Sequence, residues 1–295
     1  MFEGFAEHNV AVSGAQLFCR TGGAGPPLLL LHGYPQTHVA WHRVAPRLMR
    51  HFTLVIPDLR GYGRSRGPKP DPEHRNYSKR AMARDMAELM TALGHERFLL
   101  AGHDRGARVG FRLALDQPAR VQRFAALDII PTLDVWTQMD ADKALASYHW
   151  MFLAVPAPLP ETLIAADPDF YIRHLLDRWV GRPDALHEQA VAAYLRQFHD
   201  ANTVAATCED YRAGASIDRK DDAEDRRRGA KIACPVLVLW GSRYLSSRAG
   251  SPLAIWRNWA DDAREVALDC GHFVAEEAPE DCAAALTAFF SEARP

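Results

Sequence analysis

The chain has 295 residues, 48% apolar and 24% charged, which suits one large globular fold, or a core with an inserted subdomain, and excludes a disordered or fibrous protein. Its 35 Lys+Arg nearly balance 37 Asp+Glu, so no basic footprint points to nucleic acid or an anionic membrane. No apolar run approaches the ~20 residues a spanning helix needs, and the acidic N-terminal segment does not resemble a secretory leader. Cys19, Cys208, Cys234, Cys270 and Cys282 are scattered, with no C-x-x-C pair, so neither a zinc ribbon nor a disulfide framework is expected. A reduced, cytoplasmic enzyme is the expected class.

In chain order, residues 9 to 19 read as a hairpin around Ser13-Gly14. Leu28 to Leu31 is a short all-apolar run of the kind buried on both faces of a parallel sheet. Similar runs follow at Thr53–Ile56, Phe98–Ala101, Arg123–Leu127, Val236–Leu239 and Glu265–Leu268. Ser78 to Leu93 shows helical spacing at Met82, Met86, Leu89, Met90 and Leu93, with Ser78 as N-cap. Strands alternating with helices predict an α/β fold: a mostly parallel central sheet flanked by helices. From Pro131 to Ile217 that rhythm stops. Helical patches at Tyr171–Val180 and His187–His199 predict an inserted helical cap. The expected division is a core of residues 1–130 and 218–295 and a cap of residues 131–217. The mixed-charge stretch Asp218–Arg228 reads as a solvated turn or linker.

The chemistry collects at strand ends. Gly102-x-Asp104-x-Gly106 joins a predicted strand to a predicted helix, which is the nucleophile-elbow spacing with Asp in the place of Ser. His32-Gly33-Tyr34-Pro35 follows the first central run, where an oxyanion-binding amide is placed in hydrolases of this kind. Asp128 directly follows a strand, and His272 follows the last one. The order Asp104, Asp128, His272 is nucleophile, acid, base. Trp240-Gly241-Ser242-Arg243-Tyr244 has no carboxylate where many relatives carry the acid, which leaves Asp128 to orient His272. A carboxylate is ionised at neutral pH without a partner base. Its attack on a saturated carbon gives an ester that water can cleave, so the substrate carbon is expected to bear a halide or an epoxide oxygen. Arg105 and Arg108 share a face of the first turn, where two cations oppose the helix dipole and call for an anion such as a substrate carboxylate.

His32-Gly-Tyr-Pro35, Asp58-Leu-Arg-Gly-Tyr-Gly-Arg-Ser65, Gly102-His-Asp-Arg-Gly-Ala-Arg108, Asp128, His149-Trp150 and Gly271-His272 together resemble the fluoroacetate (haloacetate) dehalogenases of the α/β-hydrolase superfamily, over essentially the whole chain. The first two segments are shared with epoxide hydrolases and haloalkane dehalogenases. The Asp-Arg-x-x-Arg run and the His-Trp pair discriminate, since those relatives usually carry Trp where this chain has Arg105.

The resemblance implies hydrolysis of fluoroacetate or chloroacetate to glycolate and halide through an ester on Asp104. It implies a halide pocket of His149, Trp150 and a cap tyrosine, for which Tyr211 in Cys208-Glu-Asp-Tyr-Arg-Ala213 is the candidate and Tyr148 the other. It further implies carboxylate binding by Arg105 and Arg108, oxyanion binding by the backbone amides of Tyr34 and Arg105, no cofactor or metal, and a homodimer. The nearest rival is an epoxide hydrolase using the same Asp104, Asp128 and His272 with two of Tyr148, Tyr171, Tyr194 and Tyr211; it leaves the arginine pair without a purpose. A non-catalytic sensor of small acids on the same scaffold is the rival of another class, and the intact triad speaks against it. A serine esterase is disfavoured, as no G-x-S-x-G stands at a strand end.

Overall fold

A computed structural model describes residues 1–244 and 250–292. The strands are β1 (Ala6–Val12), β2 (Ala15–Gly22), β3 (Pro27–Leu31), β4 (Thr53–Pro57), β5 (Phe98–His103), β6 (Val121–Leu127), β7 (Val236–Gly241) and β8 (Ala263–Leu268). They form one sheet in the order β1-β2-β4-β3-β5-β6-β7-β8. The pairs β1-β2 and β2-β4 are antiparallel, and all the others are parallel. Every expected strand is present. Leu28 to Leu31 of β3 and the whole of β5 and β7 are buried, as a sheet covered on both faces requires.

The core helices are α1 (Ala45–Leu48), α2 (Lys79–Ala92) and α3 (Arg105–Asp116). Ser78 caps α2, its hydroxyl accepting from the Ala81 amide at 3.2 Å. Between β6 and β7 the chain runs through α4 (Thr132–Thr137), α5 (Ala141–Ala146), α6 (Tyr148–Ala154), α7 (Leu159–Ala166), α8 (Pro168–Trp179), α9 (Glu188–Gln197), α10 (Ala201–Ala215) and α11 (Ile217–Arg227). After β7 come α12 (Leu253–Trp256), α13 (Val274–Glu277) and α14 (Pro279–Ser291).

The stretch expected to be a solvated linker is instead the packed helix α11. Asp218, Asp222 and Asp225 recur at helical spacing and are all buried. They meet cations from the core: Arg112 Nη1 donates to Asp225 at 2.5 Å, and the Lys79 ammonium lies 3.4 Å from Asp218. Polarity alone suggests solvent. Ion pairing across the fold removes the acidic stripe from it.

The parallel strands end level with one another. Leu31 pairs with Gly102, His103 with Leu127, Leu127 with Leu239, and Gly241 with Leu268. The residues just past these ends therefore lie along one carboxyl edge, where open α/β sheets bind ligands.

Candidate active site

Asp104 follows β5 directly and opens α3. Its backbone stands at φ 46°, a conformation a non-glycine residue adopts only when its surroundings impose it. Here the surroundings are two glycines in close contact. A Cβ on Gly102 would lie 2.6 Å from the carbonyl oxygen of Gly106, and one on Gly106 would lie 2.3 Å from that of His32. The sharp strand-to-helix turn thus needs glycine at both places. Asp104 Oδ1 accepts from the Tyr34 amide at 2.9 Å. Oδ2 lies 3.9 Å from His272 Nε2, too far for a direct hydrogen bond.

His272 sits in the loop after β8. Its Nδ1 is 2.5 Å from Asp128 Oδ2, and Asp128 Oδ1 accepts from the Gly241 amide at 2.9 Å. In the neutral ring the carboxylate fixes the proton on Nδ1 and leaves the Nε2 lone pair facing Asp104. The base loop is pinned from several sides. His272 N donates to the Trp179 carbonyl at 3.0 Å, and the His272 carbonyl is 2.7 Å from His103 Nε2. Glu277 accepts from the amides of Gly271 and Phe273, each at 2.9 Å.

A cavity of about 620 Å³ opens onto this group. Its described lining includes Asp104, Asp128, His272, Arg108, His149 and Trp150. Arg105 and Tyr211 do not line it, but both pack against Trp150: the Arg105 guanidinium carbon is 5.4 Å from the indole centroid, and the Tyr211 ring is 5.8 Å away. Tyr211 is also 5.8 Å from the His149 ring, so it meets both members of the His-Trp pair. Tyr148 meets His149 at 6.2 Å and otherwise turns to His174. Tyr194 donates to Glu276, and its hydroxyl is therefore already engaged.

The two arginines differ. Arg105 is fully buried and spends its Nε and Nη2 on Asp210, at 3.0 and 2.6 Å, leaving Nη1 without a hydrogen-bond partner among the described residues. The expected fork for a substrate is thus turned on an acid from α10. Arg108 forms no ion pair among the described residues; its Nη1 donates to the Ile130 carbonyl at 3.0 Å and to the Thr132 hydroxyl at 3.1 Å, and its Nε has no partner.

These strand-end positions can be compared with known proteins. A sequence model described as alpha/beta hydrolase fold matches residues 26–279. The chain is 44% identical to a fluoroacetate dehalogenase of Burkholderia sp, over all of this chain and 96% of that one. It is 32% identical to a soluble epoxide hydrolase of Corynebacterium sp. (strain C12), over 97% of this chain and 98% of the relative. A solved protein of Nostoc sp PCC 7120 superposes with a TM-score of 0.97 at 49% identity, covering 99% of this chain and all of that one.

The chain belongs to the alpha/beta hydrolase fold family. In this alpha/beta hydrolase, burial works against charge on Asp104, but His272, His103, Arg105 and Arg108 outweigh it and hold the carboxyl below its usual range. Burial likewise opposes protonation of His272, yet the hydrogen bond and charge of Asp128, with Asp104 behind it, hold the imidazole above its ordinary value. Burial and then the neighbouring Arg105 push Arg108 down to about 10, the mark of a cation lacking an anion. Burial pushes His149 down to about 3, so its ring is neutral at neutral pH, and its Nδ1 has no hydrogen-bond partner among the described residues.

Sequence reasoning missed three contributors to this hydrolase site. Trp179 lines the cavity, with its ring 4.5 Å from His149, and nothing in its helical context singled it out. Glu277 had a faint signal as an acid five residues after His272. Asp210 is adjacent to Tyr211, but its partner lies 105 residues away in sequence. Among the described residues no His/Cys/Asp/Glu group has the makings of a metal site, and no helix is long and apolar enough to cross a membrane.

Proposed function

We propose that this alpha/beta hydrolase converts haloacetates and water to glycolate and halide, through an ester on Asp104. The observation that carries the reading is a cavity shared by a carboxylate, one of whose oxygens makes no hydrogen bond among the described residues, and a buried guanidinium, Arg108, with no acid partner among them. The likeness to the Burkholderia fluoroacetate dehalogenase points the same way.

The substrate carboxylate is held by Arg108, with the remaining N–H groups of Arg105 behind it. Asp104 Oδ2 attacks the carbon in line, the carbon–halogen bond breaks, and halide leaves toward His149, Trp150 and Tyr211. Fluoride gains its charge only as that bond breaks, so donors aimed at it act on the transition state selectively. His272 Nε2 then takes a proton from water, whose oxygen adds to the ester carbonyl. Oδ1 becomes the oxyanion, held by the amides of Tyr34 and Arg105. Collapse expels glycolate, which takes the proton from His272. What supports this split between oxygens is that Oδ1 already accepts from the Tyr34 amide, while Oδ2 has no hydrogen bond among the described residues and faces His272 at 3.9 Å.

The reading includes a core of residues 1–130 and 218–295 with a cap of residues 131–217, α11 forming the seam. It also includes a cytoplasmic homodimer without cofactor or metal. Five unpaired cysteines suit a reduced compartment, and light scattering tests the dimer.

The deciding experiment is halide detection with fluoroacetate, chloroacetate and bromoacetate, run beside styrene oxide. Halide from the acids with the epoxide untouched supports the proposal. Diol from the epoxide with no halide overturns it in favour of the epoxide hydrolase, and tight acid binding without turnover overturns it in favour of the sensor.

A further inference from the structure

A buried polar cluster behind the cavity enters the mechanism above only through Arg105. Asp210, on α10, is fully buried and accepts from three core residues. Arg105 approaches its carboxylate along the Nε and Nη2 edge, and Arg105 Nη2 also donates to the Asp210 carbonyl at 2.7 Å. Tyr62 donates from the loop after β4 at 2.8 Å. Lys79, at the start of α2, donates its ammonium to the same carboxylate and is shared with Asp218 at 3.4 Å.

The next residue along α10 is Tyr211. Its ring lies under the Arg105 guanidinium, 4.1 Å from centroid to carbon. One side chain therefore joins the turn that carries Asp104 to the helix that carries the phenol. Arg105 is the residue after Asp104, and Tyr211 the residue after Asp210. Any shift of Asp210 moves both second members of these pairs.

We propose that Asp210 is a positioning residue for carbon–fluorine cleavage: by holding one edge of Arg105 it registers Tyr211 against Asp104 and leaves Arg105 Nη1 as the free edge. The inference rests on the reading of Tyr211 as a halide donor. A free Arg105 would turn its fork elsewhere, and α10 would lose its anchor to the core. Loss of register falls hardest on the halide that most needs donors. Fluoride needs them, whereas bromide leaves readily without them.

The test compares fluoride release from fluoroacetate with bromide release from bromoacetate in Asp210→Asn. Asn keeps the shape and loses the charge. Fluoride turnover is expected to fall by roughly tenfold or more relative to bromide turnover, on the scale of losing a transition-state donor. Asp85→Asn breaks a buried ion pair with Arg60 that does not involve Asp210, and its fluoride-to-bromide ratio is expected to match the parent. An equal loss on both substrates in Asp210→Asn, or no loss, overturns the proposal. So does an equal ratio change in Asp85→Asn, which would mark a general packing effect. If Asp210→Asn does not fold, Asp210→Glu decides. It keeps the charge but displaces it by one methylene, and an unchanged ratio there overturns the assignment. A parent enzyme that releases neither halide would instead refute the haloacetate reading itself.

Discussion

At Asp104 the two carboxylate oxygens are set apart before any substrate arrives. One is tied to a backbone amide, and the other faces His272 across 3.9 Å. Asp104→Asn removes the attacking charge, so halide release is expected to fall by on the order of 10⁴ or more; an ion-selective electrode reads it, with mass spectrometry checking that Asn has not reverted. Undiminished release would sink the nucleophile assignment. His272 gives a pH prediction whose sign follows from its neighbours. The base works only when neutral, and Asp128 and Asp104 hold its proton on above the ordinary imidazole range. Ester hydrolysis is therefore expected to be lost on acidification, and because Asp104 is uncharged in the ester, Asp128 is the neighbour that holds the midpoint up in that step. Asp128→Asn removes the strongest stabiliser of the charged ring and leaves burial, which favours the neutral form. The acid limb should move to lower pH while turnover drops, as a single-turnover pH profile can show. A limb that stays in place would mean that another group sets it.

Two helices illustrate how elements gain a role from their partners. The first turn of α3 carries Arg105 and Arg108 at helical spacing, and sequence alone treats them as a matched pair. In the fold they part company, because α10 supplies an acid to one and only neutral acceptors meet the other. Helix α11 shows the reverse. Its Asp stripe looks solvated, yet it closes on Arg112, which is 2% exposed. Breaking a buried pair strands the remaining charge, so Arg112→Met is expected to cost about 3 kcal/mol or more. Urea unfolding would measure it. A change near zero would return α11 to the status of a loosely attached linker.

The whole molecule presents an anionic substrate with a cationic approach. Arg108, Lys143, Arg178 and Arg243 line the cavity, against Asp104 and Asp128 among the described lining residues, and since Lys143 also pairs with Asp140 and Arg243 with Asp269, Arg108 and Arg178 carry most of the cationic excess. Asp128 is engaged with His272. Clefts lined by one sign of charge speed the arrival of the other, and salt screens that field over about 8 Å at physiological strength. Raising salt from about 50 to 500 mM is therefore expected to lower kcat/KM for bromoacetate roughly threefold while kcat stays level. Initial-rate kinetics at fixed pH test it, and a salt-independent kcat/KM would show that the rim charges do not steer.

The positions of the strands along the chain, the strand-end positions of Asp104, Asp128 and His272, and the turn after β5 were legible in the chain itself. Each is encoded locally: a run of apolar residues, a glycine where backbone approaches backbone, a polar residue just past the end. The pairing of Arg105 with Asp210, the burial of α11 and the arrival of Trp179 beside His149 were decided only by the tertiary structure. Those contacts join residues tens to more than a hundred positions apart, and a charge in a sequence carries no sign of whether water or a distant side chain will neutralise it.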